Sequence, residues 1–189
     1  MPLLFAATLF ALTVPTALAS SHPSAPDGSA YVASPDSVAY AADVTSLDRI
    51  LAALYDVISG PAGQERDWDR MRYLFLPEGL LVATAPQADG THRHRAMSVD
   101  DYVATSGPWL LENGFYEVEI ARRTEQFGAT AHAWSTYAGR LTPDADPFLR
   151  GVNSIQVFWD GTRWWIVSVF WSPEHPGEML PDQYLPTDE

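Results

Sequence analysis

The chain has 189 residues, a formal net charge of −13 at pH 7 and no cysteine. Phosphate backbones and anionic lipid surfaces are poor partners for such an acidic protein, because both are bound mainly through clustered lysines and arginines. Because of this charge we expect no nucleic-acid binding. The lack of cysteine excludes disulfides, thiolate metal sites and a cysteine nucleophile.

The N-terminus has the features of a secretory signal peptide. Residues 1–19 form an apolar run that is short for a membrane span, and the run ends in the small residues Ala17 and Ala19. We predict cleavage before Ser20 and export to the periplasm or the medium. An uncleaved anchor is the alternative, because no Lys or Arg precedes the apolar run. After cleavage we expect no membrane association.

The composition divides the rest of the chain into three parts. Residues 20–44 are rich in Ser, Ala and Pro without a regular apolar period, which predicts a disordered linker. A folded domain is predicted at residues 45–172, long enough to bury its own core. Residues 173–189 are predicted to form a C-terminal tail.

Three helices are predicted at the start of the domain. The first covers residues 47–58, where apolar residues recur at helical spacing after the N-cap Ser46. A shorter one covers residues 68–74. The third begins after Ser98, has carboxylates in its first turn and ends near Gly114.

Strands dominate the remainder of the domain. Two short strands lie between the second and third helices, and four long ones follow at residues 115–127, 130–140, 152–159 and 162–171. This order of elements indicates an α+β fold, in which three helices pack in a curved mixed or antiparallel sheet of about six strands.

The face of each long strand is predicted from the turns. Asp160 and Gly161 favour a two-residue type I′ hairpin, which would place Asn153 opposite Ser168 on the concave face of the sheet.

The preceding pair of strands turns at Gly128. A two-residue loop there puts Arg122, Ser135 and Tyr137 on the concave face and Glu117 on the opposite one. A three-residue loop, which remains an alternative, would exchange the faces of one strand.

Four passages carry a family resemblance: residues 122–128, 131–137, 150–156 and 160–166. With the order of elements over residues 46–171, they resemble an uncharacterised bacterial subgroup of the nuclear transport factor 2-like superfamily (SnoaL-like and ketosteroid isomerase-like proteins). The resemblance implies a cone-shaped fold with a central pocket. It implies no single function, because this fold hosts enzymes, ligand binders and dimerisation modules.

The sequence departs from the enzymes of this superfamily at two places. Isomerase-like members carry a catalytic Asp near the end of the first short strand, whereas the matching positions 82–84 hold Val, Ala and Thr. Dehydratase-like members use paired histidines in the cone. Here His132 is the one histidine on a long strand, and it is predicted to lie on the outer face.

The predicted concave face combines apolar walls with a few polar groups, which is typical of a small-molecule pocket. We predict that the ligand contacts are Arg122, Ser135, Tyr137, Asn153 and Ser168. An inward-facing Arg122 would suit an anionic ligand group. Alternatively, these side chains hydrogen-bond to one another and tether the helices, with Asp69 or Glu78 neutralising Arg122.

His92 and His94 point to the same side of a short strand, where two imidazoles can bind a metal ion. The sequence offers no evident third ligand, and the neighbouring Arg93 and Arg95 oppose a cation. We therefore predict no metal site and no cofactor.

The convex face of the sheet is predicted to expose the aromatic side chains of Trp134, Phe158 and Trp165. Soluble monomers seldom expose so large an apolar patch, so we predict a homodimer formed through this face. The alternative is that residues 173–186 fold back over part of it, and both arrangements can hold together.

The leading functional prediction is an exported dimer that binds a small, partly apolar molecule through Arg122, Tyr137 and Asn153. The alternative is an isomerase, cyclase or dehydratase in which Tyr137 polarises a carbonyl and an acidic residue from the helices acts as base. A carboxylate of raised pKa facing Tyr137 would favour the enzyme. A third alternative is an interaction module whose cone is filled by side chains.

Overall fold

A computed structural model of the protein describes residues 39–186. The predicted signal peptide, residues 20–38 of the predicted linker and the last three residues lie outside this range. The helices and strands are, in chain order, α1 (Leu47–Ile58), α2 (Trp68–Leu74), β1 (Phe75–Pro86), β2 (His92–Met97), α3 (Val99–Asn113), β3 (Tyr116–Phe127), β4 (Thr130–Arg140), β5 (Leu149–Trp159) and β6 (Trp164–Pro173).

The three helices begin where their capping residues predict. The Ser46 side chain accepts a hydrogen bond from the backbone of α1, and the Asp67 side chain does the same for α2. Ser98 and Asp101 form a reciprocal capping box at the start of α3. The predicted bounds of the helices are therefore confirmed.

The six strands form one mixed sheet in the order β2-β1-β6-β5-β4-β3. β1 and β6 run parallel, and all the other neighbours are antiparallel. The fully buried Ile50 and Leu51 of α1 belong to the same core as Ile155 and Ile166 of the sheet. This confirms the predicted α+β architecture.

The folded part begins before residue 45. Residues Ala41–Val44 form a short 3-10 helix in which Val44 is buried. The Asp43 carboxylate pairs with Arg70 of α2 at 2.7 Å. The predicted linker therefore extends too far, because its last residues pack against the domain. No helix among residues 39–186 has the length and apolar character needed to span a membrane.

The loop between β3 and β4 has two residues, as predicted, with Phe127 opposite Thr130. The predicted loop between β5 and β6 is wrong, because Trp159 pairs with Trp164 and leaves four residues in the turn. The Asp160 carboxylate holds this longer turn by accepting hydrogen bonds from the backbone N–H groups of Thr162 and Arg163.

Two β-bulges change which side chains face the helices. In β3 the register shifts at Ile120, between the pairs Glu119–Tyr137 and Ala121–Thr136. In β6 it shifts at Val167. Each bulge inserts one residue, so residues on its far side exchange faces relative to an uninterrupted strand.

Candidate functional site

A cavity of about 310 Å³ lies between the helices and the concave face of the sheet. Its walls are mostly apolar and include Leu54, Ile58, Met71, Leu81, Trp109, Val169 and Trp171. The polar side chains that line it are Tyr55, Thr84, Arg93, Tyr102, Ser106, Glu117, Tyr137 and Asn153. The exposed Pro86 and Phe148 also contribute, so the cavity reaches the protein surface near the end of β1.

Glu117 is placed in the cavity by the bulge in β3. Because Ile120 is the extra residue, Glu117 and Glu119 share the face of Tyr137. The backbone around Glu117 is tied to the end of α1, since its N–H donates to Ser59 Oγ at 3.0 Å. Gly60 and Phe115 exchange two further backbone hydrogen bonds. The carboxylate is therefore held at a fixed place beside the first helix.

Burial raises the pKa of the Glu117 carboxyl group to about 7. This side chain is half-buried at the cavity wall, and removing a carboxylate from water disfavours its charged form. A hydrogen bond from the Asn153 side chain lowers the pKa in part. Glu117 can thus change protonation state near neutral pH, as a general acid or base must.

Three tyrosines share the cavity with Glu117. Burial raises the pKa values of Tyr55, Tyr102 and Tyr137, and the Glu117 charge raises each of them further. All three therefore remain neutral phenols that can donate a hydrogen bond. No hydrogen bond joins the Tyr137 hydroxyl to another described residue, and this donor lies at the cavity wall.

A buried hydrogen-bond network links α1 to the sheet. The Tyr55 hydroxyl lies 2.6 Å from Ser135 Oγ and accepts from the Asn153 amide at 3.0 Å. Ser135 Oγ also donates to the Glu119 carboxylate. The network orients Asn153 toward the cavity and keeps the helix at a set distance from β4 and β5.

The sequence matches no protein-family model and no curated protein. Among solved structures, a protein of unknown function with a cystatin-like fold from Nostoc punctiforme aligns with a TM-score of 0.51 at 11% identity, covering 70% of this chain and 95% of that chain. LinA aligns with a TM-score of 0.50 at 8% identity, covering 74% and 89%. An NTF-2 like protein of unknown function from Silicibacter pomeroyi gives 0.45 at 15% identity, covering 68% and 92%.

The chain has the nuclear transport factor 2-like fold. The three helices, the six-stranded mixed sheet and the match to LinA confirm the family resemblance at the level of the fold. At these identities the structural similarity shows the fold alone and identifies no substrate, because proteins with this fold differ in function.

Two of the five predicted contact residues, Tyr137 and Asn153, line the cavity of this nuclear transport factor 2-like cone. Ser135 lies on the same face but is fully buried behind Tyr55, where it serves the network. It acts as the predicted tether.

Arg122 does not line the cavity. Its guanidinium pairs with Asp48 of α1 at 2.6 Å and lies 3.5 Å from the Glu119 carboxylate. The predicted partners Asp69 and Glu78 are thus wrong for this arginine, since Asp69 instead pairs with Arg72. Arg122 fastens α1 to β3.

The predicted face of Ser168 is wrong. It pairs with Gln156 on the outer face of the sheet, because the bulge at Val167 reverses the alternation along β6. Glu117, in contrast, was predicted on the outer face and lies in the cavity. The sequence did show a carboxylate between Tyr116 and Val118, which could have suggested an inward-facing acid. No residue pattern, however, reveals the bulge that brings this side chain into the cavity.

The convex face exposes less aromatic surface than predicted. Trp165 is buried, because the Arg163 guanidinium stacks on its ring at 3.6 Å and the Asp160 carboxylate accepts a hydrogen bond from its indole N–H. Trp134 remains 41% exposed although the ring of Tyr184, from the C-terminal segment, lies 5.9 Å away. The alternative in which this segment covers part of the face is therefore the observed one.

Proposed function

We propose that the protein binds a small, partly apolar molecule in the cavity of the cone. The observation that carries this proposal is a cavity of about 310 Å³ with mostly apolar walls. Three polar side chains, Glu117, Tyr137 and Asn153, line it together. Apolar walls supply affinity, and a few polar groups orient the ligand. The volume is at the lower end of the usual range for ligand pockets, which favours a compact ligand.

A filled cavity tests this proposal. Ser106 of α3 lines the cavity, and Ser106→Phe should occupy much of it. Native mass spectrometry of the untagged protein, purified from its own host, is expected to show a bound mass in the wild type and none in Ser106→Phe. The matched control is Ala104→Phe, an exposed position on the same helix, which should retain the mass. Equal retention by both variants, or no bound mass in the wild type, would contradict ligand binding in the cone.

The second candidate function is a proton-transfer enzyme that acts on the same ligand. The specific observation behind it is a carboxyl group of pKa about 7 beside a tyrosine hydroxyl. In this mechanism Glu117 removes a proton next to a carbonyl group, and Tyr137 donates a hydrogen bond to the oxygen as negative charge develops there. The base comes from β3 and not from the helices.

Isotope exchange distinguishes the enzyme from a binding protein. A panel of small cyclic ketones in D₂O, followed by NMR, should exchange α-protons faster with the wild type than with buffer. Glu117→Gln should lower the rate by about 10²–10⁴-fold, since loss of a general base has effects of that size. Thr84→Val, a change elsewhere on the cavity wall, should alter the rate less. Unchanged exchange in Glu117→Gln would exclude this role, and absence of catalysis by the wild type would leave binding alone.

We also propose a homodimer formed through the convex face. Trp134 and Phe170, exposed by 41% and 46%, lie in one cross-strand row that passes through Ser154. A second copy packed on this row would bury both rings, and the buried Trp165 is outside the revised interface. The native mass spectrum is expected to show twice the chain mass. A monomer at micromolar concentration would refute the dimer.

Export is the remaining proposal about the whole chain. It is supported by the apolar residues 1–19, which end in small residues typical of a cleavage site. The absence of cysteine is compatible with export but does not favour it, because it suits an oxidising and a reducing compartment equally. The N-terminal sequence of protein recovered from the periplasm or medium should begin at Ser20. Recovery of the intact N-terminus in the membrane fraction would favour the anchor instead.

A further inference from the structure

Three metal-binding side chains meet at one edge of the cone. His175 Nε2 lies 3.2 Å from Glu178 Oε2, and His92 Nε2 lies 3.6 Å from the same oxygen. All three ligand atoms lie within 4.8 Å of one another. Neighbouring ligands of a tetrahedral Zn²⁺ ion are separated by about 3.3 Å, given metal–ligand bonds of about 2.0–2.1 Å. The cluster is therefore close to a coordination geometry.

A tight turn after β6 sets the positions of His175 and Glu178. Pro176 and Gly177 occupy its two central places, and Gly177 has the positive φ of 103° that such a turn requires. The backbones of His175 and Glu178 exchange two hydrogen bonds across the turn, at 3.2 and 2.9 Å. Both side chains are thus positioned by local backbone structure.

The base of this turn is attached to the sheet. The Glu174 carboxylate accepts two hydrogen bonds from the Arg150 guanidinium, at 2.7 and 3.1 Å, and a third from the backbone N–H of Leu180. The Glu174 N–H donates to the Arg150 carbonyl at 2.8 Å. The turn is therefore anchored on both sides, which lowers the entropy lost when its side chains bind an ion.

His175 is oriented as metal-binding histidines usually are. Its Nδ1 lies 3.1 Å from the Pro176 carbonyl oxygen, so it can donate its proton there. That bond leaves the Nε2 lone pair directed toward the cluster, and a backbone carbonyl is a common partner for the second nitrogen of a ligating histidine.

The nearby arginines do not oppose a cation here. Successive side chains of β2 alternate in direction, so Arg93 and Arg95 lie on the face opposite to His92. Arg93 lines the cavity, and Arg95 contributes to the charge around Asp101. The net charge of −13 attracts cations to the molecule as a whole.

We propose that His92, His175 and Glu178 bind a late first-row divalent metal ion, of which Zn²⁺ fits best. Two imidazoles and one carboxylate suit this class of ion, whereas Mg²⁺ and Ca²⁺ prefer oxygen ligands alone. Solvent completes the coordination, since the three side chains are partly exposed. The ion would fasten the C-terminal segment to the β1–β2 hairpin beside Pro86 and Pro173, which line the cavity. This site is independent of the function proposed above.

Isothermal titration of the untagged protein with ZnCl₂ in a non-chelating buffer tests the site. The wild type is expected to bind one Zn²⁺ per chain at this site and to show no heat with MgCl₂. His175→Ala and Glu178→Gln should each weaken zinc binding at least tenfold, because even loss of a ligand's supporting partner costs about 10–100-fold. The apo variants should keep the wild-type circular dichroism spectrum and melting temperature, since neither side chain is buried.

His94→Ala is the matched control. His94 lies on the same strand and the same face as His92, but it does not belong to the cluster. It should bind zinc within twofold of the wild type. Failure of the wild type to bind zinc would overturn the proposal, as would equal affinities for His175→Ala and the wild type. A loss of affinity confined to His94→Ala would place zinc elsewhere and would likewise overturn it.

Discussion

Glu117→Gln is expected to raise the free energy of unfolding at about pH 8 by about 3 kcal/mol. The pKa of Glu117 is about 7 in the folded protein, against an ordinary value of 4.5. One pKa unit corresponds to about 1.4 kcal/mol, so keeping this carboxylate ionised inside the protein is costly. Glutamine has nearly the same shape and carries no charge, which removes the cost.

The stabilisation should depend on pH in a defined direction. Between pH 4.5 and 7 the folded protein retains a proton on Glu117 that the unfolded chain has released. Unfolding then releases a proton, so the free energy of unfolding contributed by this group falls as the pH rises through this window. Below the window both states are protonated and the variant should match the wild type. Above it the difference should be constant and maximal.

Urea denaturation at several pH values from about 4.5 to 8 measures this difference. Glu125→Gln is the control, because Glu125 is an exposed carboxylate on the same strand. Its effect should stay within about 0.5 kcal/mol at every pH, as for most surface substitutions. A Glu117→Gln difference that stays flat across the range, or that grows toward acid, would contradict the raised pKa.

A stability cost at Glu117 would support a functional role for this carboxyl group in the cavity. A chain shaped by folding alone would gain from a neutral residue at this position, whereas acid-base chemistry needs a carboxyl group that titrates near neutral pH. The same substitution should therefore stabilise the fold and remove proton transfer. These opposite effects separate a catalytic role from a structural one.

The helices could be predicted from the sequence because their signals are local. Ser46 and Ser98 cap α1 and α3 through hydrogen bonds to residues three positions away, and the apolar period of α1 matches its buried face. The fold class followed from the order of these elements and the long strands. The two-residue turn at Gly128 could also be predicted because its signal is local.

The site could be predicted only in part, because sheet faces depend on register. One inserted residue at Ile120 brings Glu117 into the cone, and another at Val167 moves Ser168 out of it. Such bulges are determined by packing of the whole sheet, and the period-two pattern does not reveal them. The pairing of His92 with His175 was equally hidden, since the two residues meet only when β6 lies beside β1.

Arg66→Met is expected to lower the free energy of unfolding by at least about 3 kcal/mol. The Arg66 side chain is buried, and its guanidinium donates five hydrogen bonds of 2.5–3.3 Å to the backbone carbonyls of Ile58, Gly60, Pro61, Gln64 and Leu110. Methionine fills a similar volume but donates no hydrogen bond. Among the described residues, the carbonyls of Ile58 and Gln64 then have no donor, and the other three keep only one backbone N–H each. Each buried polar group without a partner costs about 1–3 kcal/mol, and water can reach only some of them.

The position of Arg66 explains why a lysine should not replace it well. Its carbonyl partners include the last turns of α1 and α3, where the helix dipoles favour a positive charge. A lysine keeps that charge but has three donors on a single nitrogen, and it cannot reach both sides of the fork. Arg66→Lys should therefore lose about half as much stability as Arg66→Met. The absence of a side chain at Gly60 leaves room for the guanidinium, since a Cβ there would lie 2.9 Å from Arg66 Nη1.

Thermal and urea denaturation, compared with Arg72→Met, check this expectation. Arg72 forms its ion pairs with Asp69 and Asp100 at the surface, so its loss should cost less than about 1 kcal/mol. If Arg66→Met and Arg72→Met were equally stable, the carbonyl cluster would not hold the helix ends together.

Because Gly60 also pairs with Phe115, two residues before Glu117, loosening this junction should displace the Glu117 carboxylate. Arg66→Lys should then move the pKa of Glu117 toward its ordinary value, a shift that NMR titration can follow in the folded variant.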